Sequence, residues 1–131
     1  MQKVAKMLAL VMGGLFLVIG GMSFLPMGLF GPGGLMVKYP NMPYVHLAFG
    51  VILLFASTLG ESWAAFGLYS VAFLNALLAG FGYMSIDFTG TATLFGVLRL
   101  TQPDMIFHGI LTVGLAVCGK MNTARQQVIW D

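Results

Sequence analysis

Charged side chains are scarce in this chain of 131 residues. Asp, Glu, Lys and Arg together make up 8% of it, and the formal net charge is only +2. A basic run that could follow a phosphate backbone is missing, so a nucleic-acid-binding function is not expected. Apolar residues account for 59% of the chain, and the mean hydropathy is +0.94. Because a water-soluble globule of this size cannot bury so much apolar surface, the sequence predicts an integral membrane protein surrounded by the lipid bilayer.

Cysteine and the common catalytic motifs are equally scarce. The single cysteine, Cys118, lies in an apolar segment, which excludes a disulfide framework and favours a simple packing role. The sequence has no nucleophile elbow, no His-Glu zinc motif, no paired carboxylates and no phosphate-binding loop. An enzyme is therefore not expected.

Four apolar runs are long enough to cross a bilayer as helices. We expect these helices at residues 4–25, 43–59, 62–83 and 103–119. Long loops are expected at 26–42 and 84–102, and a tight turn around Gly60 makes the second and third helices antiparallel neighbours. The predicted fold is all-α: one transmembrane domain over residues 1–131, built as a polytopic four-helix bundle.

The few basic residues are distributed unevenly along the chain. The segments near the two termini carry Lys3, Lys6, Lys120 and Arg125, whereas the two long loops carry Lys38 and Arg99. The positive-inside rule therefore places both termini in the cytoplasm. The predicted location is a prokaryotic plasma (inner) membrane or an internal membrane.

The two halves of the chain look like a duplicated helical hairpin. Leu29-Phe30-Gly31 recurs as Leu94-Phe95-Gly96, and His46 near the start of the second helix is matched by His108 near the start of the fourth. Two crossings per repeat would make the tandem hairpins parallel, related by an approximate two-fold axis along the membrane normal. If the second and fourth helices meet across that axis, the two imidazoles approach each other.

This pattern resembles a prokaryotic domain-of-unknown-function family of small four-helix integral membrane proteins with a duplicated hairpin and one histidine per half. The matching residues are Leu29-Phe30-Gly31, Asn41, His46-Leu47 and Gly50 in the first half, and Leu94-Phe95-Gly96, Asp104 and His108 in the second. The second half departs from the pattern, since Gly109 follows its histidine directly. The resemblance implies the fold and carries no known activity.

The two histidines are the main candidates for chemistry. Asp104, His108 and Thr112 are spaced by four, so they share one face of the fourth helix. In one hypothesis, His46 and His108 are axial ligands of a haem or chlorophyll-type pigment, and Asp104 orients an imidazole. In the other, which we favour, both histidines bond nearby loops and helix ends, and Asp104 completes a Thr101-to-Asp104 capping box.

Small residues and one amide are candidates for helix packing. Gly13, Gly14, Gly20 and Gly21 recur at a spacing of seven, which lets a neighbouring helix approach closely. Asn75, near the middle of the third helix, is expected to form a hydrogen bond between helices rather than to bind a ligand.

Two function classes fit these features. We expect a structural or accessory subunit of a larger membrane complex, or a homo-oligomer, because the chain has little to present except its lipid-facing sides. The alternative is a carrier of a non-covalently bound tetrapyrrole in electron or energy transfer, held by His46 or His108. A small transporter ranks third, because Asn75 alone is thin support for an ion pathway.

Overall fold

A computed structural model gives the fold and describes residues 4–25 and 41–127. The helices are α1 (Val4–Met22), α2 (Met42–Leu59), α3 (Glu61–Met84) and α4 (Gln102–Gln127). A two-stranded antiparallel sheet, β1 (Thr91–Leu94) and β2 (Leu98–Thr101), lies between α3 and α4 in the sequence. All four helices are long and apolar enough to span a membrane. The chain is mostly helical and fits the predicted integral membrane protein.

The first helix ends earlier than predicted, at Met22 instead of residue 25. The backbone tightens over the next residues, where Phe24 N–H donates to the Gly21 carbonyl and Leu25 N–H to the Met22 carbonyl. Pro26 comes next in the sequence, and the residue before a proline disfavours the α conformation. Apart from its last two positions, the predicted loop 26–42 lies outside the described residues.

The predicted loop 84–102 contains a β-hairpin, so the all-α prediction needs a correction. Thr91 pairs with Thr101 and Leu94 with Leu98, and the turn between the strands places Phe95 and Gly96 at positive φ, 53° and 72°. Two residues at positive φ are typical of the tight turns that match the twist of a hairpin. The threonines and leucines on either side of the turn have a pattern that favours strands.

The fourth helix is longer than predicted, reaching Gln127 instead of residue 119. The part of α4 that is long and apolar enough to span a membrane is Gln102–Met121, which ends close to the predicted end. Beyond Gly119 the sequence becomes polar but is rich in Lys, Met, Ala, Arg and Gln, all of which have good helix propensity. Hydropathy predicts where the apolar part of the helix ends, whereas helix propensity explains why the helix continues beyond that point. The bounds of α2 and α3 differ from the prediction by a single residue at some ends.

Consecutive helices pack antiparallel through glycines that have no room for a side chain. A Cβ on Gly50 of α2 would lie 2.9 Å from the Gly13 carbonyl oxygen of α1. A Cβ on Gly67 of α3 would lie 2.8 Å from the Cβ of Ala56 on α2. A Cβ on Gly119 of α4 would lie 2.8 Å from the ring of Tyr69 on α3. These close approaches bring the start of α1, the α2–α3 turn and the end of α4 to the same end of the bundle.

A carboxylate from the α2–α3 turn fixes that end of the bundle. Glu61 accepts hydrogen bonds from the backbone N–H of Ala5 and, at 3.2 Å, from that of Lys6. The first turn of a helix has no internal acceptors for its N–H groups and carries the positive end of the helix dipole. Glu61 therefore acts as a cap for α1 that is supplied by a residue distant in the sequence.

Candidate functional site

The structure brings the two histidines together in the interior of the bundle. His46 on α2 and His108 on α4 have ring centroids 5.3 Å apart and planes inclined by 19°. Both side chains are 0% exposed. Phe16 of α1 lies nearly parallel to His46 at 6.0 Å, and Phe107 meets it edge-on at 6.1 Å. Side chains of the described helices therefore surround the two imidazole rings.

Asn75 of α3 fixes the orientation and the tautomer of His108. Its amide Nδ2 donates to the Val71 carbonyl of its own helix at 2.8 Å. That bond turns Oδ1 toward the His108 Nδ1, at 2.5 Å. Because an amide oxygen can only accept, Nδ1 of His108 carries the hydrogen, and in the neutral ring Nε2 is left with a lone pair. Asn75 thus forms the hydrogen bond between helices that its position in α3 had predicted.

Three imidazole nitrogens of the pair have no hydrogen-bond partner within residues 4–25 and 41–127. They are Nδ1 and Nε2 of His46 and Nε2 of His108. Buried polar atoms are nearly always paired, and an unpaired one costs about 1–3 kcal/mol. We call His46, Asn75 and His108 the histidine centre. Its unpaired nitrogens are the strongest local departure from an ordinary helix-bundle interior.

Asp104 forms the predicted capping box but does not hold His108. Its Oδ2 accepts from the Thr101 N–H and the Thr101 hydroxyl, both at 2.8 Å, and its own N–H lies 3.5 Å from that hydroxyl. The carboxylate is buried and lies close enough for its charge to act on His46. The prediction that Asp104 orients an imidazole is corrected for His108, whose Nδ1 bonds to Asn75 instead.

The alternative in which both histidines bond loops and helix ends also needs correction. His108 bonds to the middle of α3, and His46 has no hydrogen-bond partner among the described residues. At the start of α2, Asn41 makes no side-chain cap bond. Its Nδ2 instead donates to the Val97 carbonyl in the hairpin turn at 2.6 Å, so Asn41 ties α2 to the hairpin.

The histidine centre does not fit a tetrapyrrole. Two imidazoles bound on opposite faces of one macrocycle hold their ligating nitrogens about 4 Å apart, pointing at each other with the ring system between them. Here the two rings are nearly parallel and pack directly together. Ligation by one histidine needs an open face beside its nitrogen, but both side chains are fully buried.

The surroundings of the histidine centre add no metal ligands. Within the described part of the chain, no three His, Cys, Asp or Glu side chains are grouped to hold a metal ion. A neighbouring cavity of about 360 Å³ lies between α2, α3 and the hairpin. Val45, Phe49, Leu78 and Leu94 are among its apolar lining residues, and neither histidine reaches it.

The four glycines predicted to pack helices divide into two pairs. Gly13 and Gly20 face α2, where an added Cβ would lie 3.0 Å from Leu54 and 2.8 Å from Leu47. Gly14 and Gly21 have no heavy atom of another described residue within 4 Å of an added Cβ. The first pair forms the α1–α2 contact, and the second pair lies on the outer side of α1.

Sequence reasoning missed three contacts between distant parts of the chain, including the identity of the partner of Asn75. These are the Asn75–His108 hydrogen bond, the Glu61 cap on α1 and the link from Asn41 to the hairpin. Each joins residues 33 or more positions apart, so no local spacing pattern could have revealed it.

Comparisons with family models, curated proteins and solved structures find no match for the chain.

Proposed function

We propose that this chain is a non-catalytic structural or accessory subunit of a larger assembly in a prokaryotic plasma (inner) or internal membrane. The observation that carries the proposal is the outer edge of α1 formed by Gly14 and Gly21, which we call the glycine edge. At neither glycine would an added Cβ lie within 4 Å of another described helix. Their neighbours Gly13 and Gly20 already supply the contact with α2.

A glycine on a lipid-facing helix brings a cost without an evident benefit. It lowers helix propensity by about 0.8–1.0 kcal/mol relative to alanine, and lipid contact does not offset this. A second helix that packs against the glycine does offset it, because the two backbones approach closely and gain van der Waals contact. The spacing of seven keeps Gly14 and Gly21 on one side of α1. These considerations favour a partner helix at the glycine edge.

The rest of the glycine edge suits contact within the membrane. Leu10, Val18 and Met22 are exposed on α1, Gly21 is exposed and Gly14 is half-buried, and the helix carries no acidic side chain in its first turn. Such a surface can pack against apolar helices of another protein. It offers nothing that would bind a soluble substrate. The histidine centre is sealed from that surface by the bundle itself.

The proposal includes two tandem hairpins and both termini in the cytoplasm. In support of the hairpins, α1 packs most extensively against α2, and α3 against α4. In support of the termini lying on one side, Lys6 is beside the α2–α3 turn, and Gly119, next to Lys120, packs against Tyr69 in the first half of α3; the positive-inside rule then favours the cytoplasm for that side. A membrane-impermeant thiol reagent would test it in a Cys118→Ala background: Thr93→Cys should react in intact cells, and Lys120→Cys only after permeabilisation. The reverse pattern would contradict the orientation.

The subunit proposal is tested by filling the glycine edge. The double variant Gly14→Leu/Gly21→Leu is expected to fold normally, because no other described helix lies within 4 Å of a Cβ added at either position. It should leave the assembly when membranes are solubilised in mild detergent and separated by size. The matched control is Gly114→Leu, an equally open glycine on α4, which should remain assembled. A double variant that migrates with the complete assembly would count against the proposed contact.

A further inference from the structure

The histidine centre places two ionisable side chains in an interior that apolar side chains could fill. His46 and His108 are stacked within 5.3 Å, fully buried, and between them leave three nitrogens without a partner among the described residues. An apolar pair of the same shape would fill the space without that cost. The arrangement therefore indicates that the unpaired nitrogens have a ligand of their own, and the smallest ligand of an imidazole lone pair is a proton.

The bond to Asn75 decides which nitrogen of His108 can take part. Since Nδ1 already holds a hydrogen that it donates to Asn75, the free lone pair of His108 is on Nε2. His46 is unconstrained at both nitrogens, so it can present an N–H or a lone pair toward its neighbour. The pair thus has one fixed acceptor, Nε2 of His108, and a second ring, His46, whose tautomer is not fixed by a hydrogen bond to a described residue.

The charge of Asp104 favours one added positive charge on His46, against the cost of burying it. Asp104 is buried, and its charge acts on His46. Within the described residues the other titratable group felt by the pair is the second histidine, since His46 acts on His108. From the other packed elements, α1 contributes Phe16 and α3 contributes Asn75, neither of which ionises. A single positive charge on the pair is therefore stabilised by the nearby carboxylate, which offsets part of the cost of burial.

We propose that His46 and His108 act as one buried binding site for a single proton, held against the negative charge of Asp104. The proton comes from solvent and forms an N–H bond with an imidazole lone pair, and no other bond changes. A second proton is excluded at the same pH, because it would place two positive charges on rings 5.3 Å apart in an apolar interior. The site gives the interior of this chain two charge states that differ by one proton.

The test is nitrogen NMR of the two histidines, which are the only ones in the sequence. The full chain would be labelled with ¹⁵N-histidine, purified with a tag free of histidine and placed in lipid nanodiscs. Imidazole ¹⁵N shifts report the tautomer and the charge of each ring, and His46→Phe and His108→Phe assign the signals. At high pH we expect His108 as the Nδ1–H tautomer. On acidification we expect one ring per chain to become charged, and the second only about two or more pH units lower.

Two variants identify the source of the effect. Asp104→Asn keeps an oxygen acceptor for Thr101 but removes the charge, and it should weaken proton binding about tenfold or more, a midpoint about one pH unit lower. The control Asp87→Asn removes the same charge from the exposed loop and should leave the midpoint in place. If Asp104→Asn fails to fold, His46→Phe decides, because the remaining His108 must then titrate in a single step at a shifted pH.

Three results would overturn the proposal. The first is two rings that become charged at the same pH, with each midpoint unaffected by loss of the other ring. The second is a pair that stays neutral down to the pH at which helical circular dichroism is lost. The third is an Asp104→Asn variant that folds and titrates as the wild type does.

Discussion

At the residue scale, Asn75 is the side chain on which the orientation of His108 depends. Its amide N–H donates to the Val71 carbonyl of α3, and its amide oxygen accepts from His108 of α4. A single amide therefore joins α3 to α4. Such bonds in membrane proteins contribute about 0.6 kcal/mol on average and about 1.7 at most. A bond that also satisfies a fully buried imidazole belongs at the upper end of that range.

Replacing Asn75 with leucine should destabilise the bundle by about 1–2 kcal/mol, because the His108 Nδ1–H loses its acceptor in a buried position. The free energy of unfolding would be measured by titration with a denaturing detergent. Thr58→Val is the control, since the Thr58 hydroxyl is exposed and donates to the Phe55 carbonyl of its own helix. Equal unfolding free energies for Asn75→Leu and the wild type would refute the importance of this bond.

Asp87, in the loop before β1, is a residue whose ionisation stabilises local structure. Its carboxylate accepts from the Thr89 hydroxyl and from the backbone N–H groups of Thr91 and Thr89. The Thr89 hydroxyl, followed by the Thr91 N–H, holds the pKa of Asp87 below its ordinary value of 3.8. Since the pKa is lower in the folded chain, this contribution is present above pH 3.8 and is lost as the pH falls through the lowered value.

We therefore expect the amide protection factors of Thr89 and Thr91 to stay high down to about pH 4 and to fall as the pH is lowered below 3.8. Hydrogen exchange read by NMR would measure them. In Asp87→Asn the protection should already be low at neutral pH and should no longer depend on pH. Protection that is unchanged by acid in the wild type would show that the carboxylate is not what orders this loop.

At the scale of elements, the helices were largely predictable and the hairpin was not. Long apolar runs predicted four spans, and the Thr101-to-Asp104 spacing predicted where α4 begins. The strands of the hairpin are only four residues each, too short for their alternation to stand out from a loop. The turn was also hard to predict because Phe95 has a positive φ, and tight hairpin turns usually have Gly, Asn or Asp at positions with a positive φ.

The contact between α1 and α2 should be intolerant of any side chain at Gly50. A Cβ there would lie 2.7 Å from Leu17 and 2.9 Å from the Gly13 carbonyl, and the backbone atom cannot rotate away. Gly50→Ala is expected to cost about 1–3 kcal/mol of unfolding free energy. Gly80→Ala, where nothing lies within 4 Å, should instead be neutral or stabilise by up to about 1 kcal/mol. A Gly50→Ala variant as stable as Gly80→Ala would contradict the close packing.

The hairpin should gain stability if Phe95 is replaced by glycine. Phe95 has a φ of 53°, and a left-handed conformation costs a residue with a Cβ about 1–2 kcal/mol. Its ring is largely exposed, so little packing is lost. Amide exchange at Ala92 and Leu100 should slow by about fivefold or more in Phe95→Gly. Phe88→Gly, also exposed but without a positive φ, is the control, and equal exchange rates in the two variants would contradict the strain.

At the scale of the whole molecule, the sequence could place the two histidines at equivalent positions but could not complete the site. The recurrence of His46 and His108 predicted that the imidazoles approach each other if α2 and α4 meet. Which neighbour orients them depends on how α3 is rotated in the bundle. Since α3 is apolar nearly all round, no amphipathic pattern fixes that rotation in advance. Asn75 was recognised as a packing residue, but its partner could only be found in the folded chain.

The exterior of the bundle is the least predictable feature. Gly13, Gly14, Gly20 and Gly21 are equivalent in the sequence, yet only Gly13 and Gly20 contact another described helix. The difference arises from the rotation of α1, which brings one glycine of each pair against α2. The second pair contacts no other described helix, which is the basis of the proposed subunit role.

Native mass spectrometry of the chain, released in mild detergent from its own membrane, tests that role most directly. We predict a particle that contains this chain and at least one other membrane protein in fixed stoichiometry, and that loses this chain when Gly14 and Gly21 are both leucine. A particle that contains only this chain, with the same mass for the wild type and the double variant, would contradict a role as an accessory subunit.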